Sequence, residues 1–122
     1  MELEKLQNVH VAAWNEKDAA ERLKLLNSIY DADIRMYDKD FILTGIKEIS
    51  DFIEKLQSDP QFFFSSTGEI EGLQNSARLY GKIQTSGPML NSMDFFILEN
   101  GKAKHYYAFM SPEQTNAHIN EI

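Results

Sequence analysis

Asn100-Gly101 stands between two runs of strand-forming residues and constrains this chain more than any other dipeptide in it. Asn-Gly supplies the two positive-φ positions of a type I′ turn, whose twist matches antiparallel strands, so Met93 to Met110 predicts a β-hairpin. In the first arm Asp94, Phe96 and Leu98 share one face, and Met93, Phe95 and Ile97 share the other. A strand that is apolar on both sides needs cover on both, by helices on one face and a second subunit on the other. Asp94 is the exception on its face. An acid there either finds a partner, keeps its proton, or lies near the strand end and caps a turn or meets water.

Upstream of the hairpin the periodicity is helical first and strand-like later. Leu3, Leu6, His10, Ala13 and Trp14 form one face of a helix over Glu2 to Asn15. Asp18 caps a second helix, with Leu23, Leu26 and Ile29 on its apolar side, running to about Tyr30. A short strand at Ile34–Tyr37 turns through Asp38-Lys39-Asp40 into Phe41–Leu43. A third helix, Ile46 to Gln57, buries Ile49, Phe52, Ile53 and Leu56 and ends before Pro60. Everything after Pro60 reads as strand. One long strand, Gln61 to Gln74, is expected to bend at Gly68 and Gly72, and Asn75 to Thr85 alternates with Ala77, Leu79, Gly81 and Ile83 on one face. The pattern predicts an α+β fold: a cone-shaped, bent antiparallel sheet wrapped around three helices. The tail from Ser111 to Ile122 is polar.

The chain has 122 residues, enough for one domain with one core, and it is read as a single domain over 1–122 with its core at about 2–110. No stretch approaches the ~20 consecutive apolar residues of a membrane span. Twelve Lys and Arg against nineteen Asp and Glu give a net charge of −7, which repels phosphate backbones and excludes nucleic acid as the expected partner. The absence of cysteine removes thiolate chemistry and disulfides. The acidic, amphipathic start is not a basic leader, so a cytoplasmic protein is expected. His10, His105 and His118 lie on different elements at no ligand spacing, and neither a metal nor a cofactor is expected. No phosphate-cradling glycine loop or Gly-x-Ser-x-Gly elbow occurs.

Taken with this order of elements, Ala12-Ala-Trp-Asn15, Ile29-Tyr-Asp-Ala-Asp33, Tyr37-Asp38, Thr44-Gly-Ile46 and Asn100-Gly-Lys102 resemble the nuclear-transport-factor-2-like superfamily, of cystatin-like architecture. The small bacterial SnoaL-like and ketosteroid-isomerase-like proteins are most similar, over about residues 6 to 110. The resemblance implies a small-molecule pocket. It also implies isomerase- or cyclase-type proton transfer beside a carbonyl, although the same scaffold hosts non-catalytic binders. On the ketosteroid-isomerase pattern Asp38 falls on the general base and Asp94 on a protonated oxyanion donor. That pattern's helix-one tyrosine is replaced here by His10, so the oxyanion hole would use an imidazole donor.

The residues themselves leave simpler readings open beside these. Asp38 is also ordinary turn chemistry, and His10, which its helix stripe turns inward toward Asp94 or Tyr37, is also a core histidine satisfied by one hydrogen bond. Trp14, Tyr30, Tyr37, Phe52 and Tyr106 are candidate walls of the ligand pocket, or plain core. Two classes of function follow. In one, an enzyme uses His10, Asp38 and Asp94 converging on one pocket that takes an apolar or aromatic molecule bearing an oxygen. In the other, a pocketed binding or scaffolding domain does no chemistry. A homodimer is expected through Phe95, Ile97, Tyr107 and Phe109 on the face opposite Asp94. A polar cavity holding His10 and both acids would favour the enzyme, and a cavity plugged by side chains the binder.

Overall fold

The computed structural model describes residues 2–113. The apolar stripe of the first segment forms α1 (Leu3–Asn15), burying Leu6, His10, Ala13 and Trp14. The Asp18 carboxylate accepts the Glu21 N–H at 2.9 Å and starts α2 (Ala19–Ile29). The buried face of α2 is Arg22, Leu26 and Ile29. Helix α3 (Ile46–Leu56) buries Ile46, Ile49, Ser50 and Ile53.

Seven strands form one sheet: β1 (Tyr30–Tyr37), β2 (Ile42–Thr44), β3 (Phe63–Ser66), β4 (Glu71–Leu73), β5 (Ser76–Gln84), β6 (Leu90–Glu99) and β7 (Lys102–Pro112). Their order is β2-β1-β7-β6-β5-β3, with β4 also paired to β5. The three helices lie over one face, and Leu6, Leu26, Ile29, Ile34, Met36, Ile49, Ile53 and Phe96 form the fully buried centre between the layers. Three helices and an unclosed curved sheet make the α+β cone expected from the sequence.

The hairpin is as Asn100-Gly101 predicts: φ is +53° at Asn100 and +80° at Gly101, and β6 pairs antiparallel with β7 from Leu90↔Pro112 to Glu99↔Lys102. A bulge between Ile97 and Leu98 leaves Lys104 as the extra residue on β7. Burial along β6 alternates as expected, with Ser92, Asp94 and Phe96 inward.

Four expectations need correction. The sheet is mixed, not wholly antiparallel, because β1 runs parallel to β7 with Met36 beside Tyr106. Parallel neighbours require a long crossover, and everything from β2 to β6 provides it. The first strand begins at Tyr30, not Ile34, and α2 passes into it without a loop. Within an irregular stretch of β1 the Asp31 carboxylate accepts the Asp33 N–H at 2.8 Å, a turn-like contact. The expected strand from Gln61 to Gln74 is two short strands, β3 and β4, each paired with β5. At Gly72 an added Cβ would lie 2.6 Å from Leu3 Cδ1, so this glycine lets the start of α1 pack onto β4. Last, Ser111 and Pro112 belong to β7 rather than to a tail. Glu113 follows the strand, its N–H donating to the Met89 carbonyl at 2.9 Å, and residues 114–122, with His118, lie outside the described residues. No helix among those described is long and apolar enough to cross a membrane.

Candidate functional site

Helix periodicity brings His10 inward from α1, and strand alternation brings Asp94 inward from β6 to meet it. His10 Nε2 lies 2.9 Å from Asp94 Oδ2. The other carboxylate oxygen, Oδ1, accepts the Tyr106 hydroxyl from neighbouring β7 at 3.0 Å. Behind the imidazole, His10 Nδ1 lies 2.6 Å from Tyr30 Oη, which also accepts the Trp14 indole N–H at 3.1 Å. All five side chains are buried, His10 and Tyr30 completely. The Phe96 and Tyr106 rings stand T-shaped to the imidazole at centroid distances of 5.1 and 5.2 Å.

Counting protons over this network fixes the imidazole tautomer. Trp14 can only donate, so Tyr30 Oη is an acceptor there and must place its own proton elsewhere. Among the described residues the acceptor in reach is His10 Nδ1. The histidine is then the neutral Nε2–H form, which donates to Asp94. Both Asp94 oxygens therefore accept from the protein. Burial pushes the Tyr30 phenol well above the usual tyrosine range; the Trp14 hydrogen bond opposes this and nearby Asp94 adds to it. Burial also raises the Tyr106 phenol, followed by the charge of Asp94. Both phenols stay protonated donors at neutral pH.

Asp94 forms one wall of a cavity of about 70 Å³. Trp14, Phe52 and Tyr106 line it, together with Met36, Leu56, Phe62, Phe64, Ile83, Leu90 and Met110, which sequence reasoning had not singled out as lining. The cavity is neither plugged nor polar throughout: it is apolar with one acid in its wall. A few waters or the ring of a small ligand is the scale of object it admits.

The three residues expected to converge do not all do so. His10 and Asp94 meet. Asp38 lies apart, in a separate surface cleft with Tyr37, Lys39, Tyr107 and Phe109. Its carboxylate accepts the Asp40 N–H at 3.1 Å, so it takes the turn role its position allows. Tyr37 also faces away from the cavity, its ring stacked 4.4 Å from Tyr107 and its hydroxyl 2.9 Å from His105 Nδ1. Tyr30 is no pocket wall; its hydroxyl is the hinge of the hydrogen-bond network. No group of three or more His, Asp or Glu among the described residues could hold a metal ion.

A second buried polar cluster was not foreseen. Arg22 is 1% exposed. Its Nε donates to Ser50 Oγ at 2.9 Å, Nη1 donates to the Glu16 carbonyl at 2.8 Å and Gln57 Oε1 at 3.0 Å, and Nη2 donates to Glu54 Oε1 at 3.3 Å. The guanidinium ties the end of α1 to α2 and α3 and so holds the helical layer over the cavity.

An α+β cone with an apolar interior cavity and a buried acid in its wall defines a class of small pocketed proteins. No protein-family model matches the sequence, and no curated protein matches it. Solved structures do. A candidate isomerase of the SnoaL-like family from Agrobacterium tumefaciens is similar with a TM-score of 0.79 at 22% identity, over 89% of this chain and 97% of that one. A candidate SnoaL-like polyketide cyclase from Jannaschia is similar with a TM-score of 0.67 at 12% identity, over 88% and 86%. A de novo designed NTF2-fold protein is similar with a TM-score of 0.70 at 15% identity, over 98% and 95%. The chain has the NTF2-like fold.

Proposed function

We propose that this protein binds an apolar small molecule carrying a carbonyl and moves a proton on the carbon beside that carbonyl, with Asp94 as the base. The observation that carries this reading is the Asp94 carboxylate itself, 3% exposed, held at both oxygens by neutral donors and placed in the wall of an apolar cavity. A carboxylate accepts about four hydrogen bonds, and here two come from the protein, leaving lone pairs for a substrate. The step balances without a co-reactant. Asp94 takes the α-proton, the C–H electron pair moves onto the carbonyl oxygen as an enolate, and the proton returns to the same or a conjugated carbon. Tyr106 and His10 steady the carboxylate through the cycle; His10 does not line the cavity, and Tyr106 lines it with its ring while its hydroxyl is committed to Asp94, so both act on the reaction as positioning residues.

This division of labour departs from the ketosteroid-isomerase pattern, in which the acid at Asp94 donates and the acid at Asp38 abstracts. The names carried by the SnoaL-like neighbours, an isomerase and a polyketide cyclase, support the reaction class. Loss of α-deuterium from small aryl ketones, followed by NMR, tests the proposal, and no protein-dependent exchange across such a panel would refute it.

A binding or scaffolding role without chemistry is the second reading, and one observation favours it. On the face opposite Asp94, Phe95 and Tyr107 pack together at 6.2 Å, with Phe109 beside them 57% exposed. With Ile97 they would form the interface of a homodimer. We keep the cytoplasm as the place of action, from the acidic, cysteine-free composition.

A further inference from the structure

Ser92 is the described residue whose buried side-chain oxygen has no hydrogen-bond partner. It is 5% exposed and stands two residues before Asp94 on the same inward face of β6. Cavity residues bracket it. Leu90 and Asp94 flank it along the strand, and Met110 pairs with it across the hairpin. Gly81 pairs with it on the other side. A Cβ at Gly81 would fall 3.0 Å from Ser92 Oγ, 2.8 Å from Phe64 Cε1 and 2.6 Å from the Ser65 carbonyl. This glycine therefore makes room for the hydroxyl and the Phe64 ring to share one space, and Phe64 lines the cavity. Burying a hydroxyl without a partner is unfavourable, and native structures rarely do so without a use for the group.

We infer that the Ser92 hydroxyl is the hydrogen-bond donor for the ligand's carbonyl oxygen, so that Ser92 and Asp94 together recognise a ketone with an acidic α-carbon. The inference rests on the proposed role of Asp94 for its orientation. Residues i and i+2 of a strand are about 6.8 Å apart. That spacing suits an α-carbon and its carbonyl oxygen lying between two contacts of roughly 3 Å each. The oxygen reaches Ser92 while the α-hydrogen faces Asp94, so the hydroxyl meets the atom that gains negative charge as the proton leaves. Ser92 does not itself line the cavity, but Phe64, Leu90, Asp94 and Met110 around it do. Met110, unbranched and 41% exposed, is the side chain that yields when the ligand seats.

The probes are acetophenone and α-methylstyrene, which have nearly the same shape and differ in carrying C=O or C=CH2. Calorimetric titration of the wild-type protein should show acetophenone binding five- to tenfold more tightly, the effect of one hydrogen bond. In Ser92→Ala the preference should vanish through loss of acetophenone affinity alone, and acetophenone α-deuterium exchange should slow at saturation. Unliganded Ser92→Ala should melt no lower than wild type, since it loses no protein hydrogen bond. Equal affinity for the two probes, an unchanged preference in Ser92→Ala, or no binding of either probe overturns the inference. Exchange that is absent while a Ser92-dependent preference persists would overturn the role of Asp94 and leave that of Ser92. Exchange that is present and insensitive to Ser92→Ala would do the reverse.

Discussion

Tyr30 Oη lies 2.6 Å from His10 Nδ1, and through that contact it decides which proton faces Asp94. With Trp14 donating to the same oxygen, the phenol has one proton and one place for it. Removing the hydroxyl in Tyr30→Phe leaves Nδ1 and the Trp14 N–H without this partner and should cost about 1–3 kcal/mol of stability. The tautomer is then no longer fixed, so α-deuterium exchange should also slow. Chemical denaturation and exchange on the same sample check this. Unchanged values for both would show that the contact has no such role.

Alkaline pH should unfold the protein by way of its two buried phenols. Tyr30 and Tyr106 are both raised by burial, so the native state holds their protons more tightly than the unfolded chain does. Their contribution is complete below pH about 10, where the unfolded phenols are still protonated, and is lost as pH rises above it. Each should lower stability by about 1.4 kcal/mol per pH unit in that range. The measurement is denaturant unfolding from pH 8 to 12 alongside a variant with both tyrosines changed to phenylalanine, whose curve should be flatter. Equal slopes would contradict the account.

Arg22→Ala should be among the most destabilising single changes in the helical layer, at about 3 kcal/mol or more. It leaves Ser50, Gln57 and the Glu16 carbonyl short of a donor and opens a cavity where the guanidinium lay. Thermal unfolding measures it. A loss below about 1 kcal/mol would mean that water replaces the arginine freely.

If the outer face of the hairpin is a dimer interface, Phe109→Asp should convert a dimer to a monomer while leaving the fold intact. Light scattering after size exclusion at micromolar concentration decides this. A monomeric wild-type protein would remove the dimer altogether.

The parts of the structure legible in the sequence were those with a local signal. Asn100-Gly101 announces its turn, the stripe from Leu6 to Trp14 turns His10 inward, and period-two alternation puts Asp94 on the inner face. Together these foretold that the two would meet. The pairing of β1 with β7 left no local trace, because neither strand adjoins the other in the chain. The apolar stripe of Leu23, Leu26 and Ile29 carried the second helix to about Tyr30, and the polar Asp31 and Asp33 hold no strand alternation, so the strand that brings the Tyr30 hydroxyl to His10 had no local signal. Asp38 was placed at the pocket by resemblance, and it turns instead onto its own backbone. Arg22 was hidden by its charge, since an arginine on an amphipathic helix reads as a solvent-facing residue until Ser50, Glu54 and Gln57 are seen to enclose it. Ser92 gave no signal, because a serine on a strand is ordinary until its surroundings are found to offer it nothing.

The most direct test of the central claim is the rate of acetophenone α-deuterium exchange in wild type, Asp94→Asn and Asp38→Asn, measured by NMR at one pH near neutrality. With Asp94 as the base, Asp94→Asn should lower the rate at least a hundredfold while Asp38→Asn stays within about twofold of wild type. Loss of exchange in Asp38→Asn with retention in Asp94→Asn would contradict the account and return the base to the surface cleft.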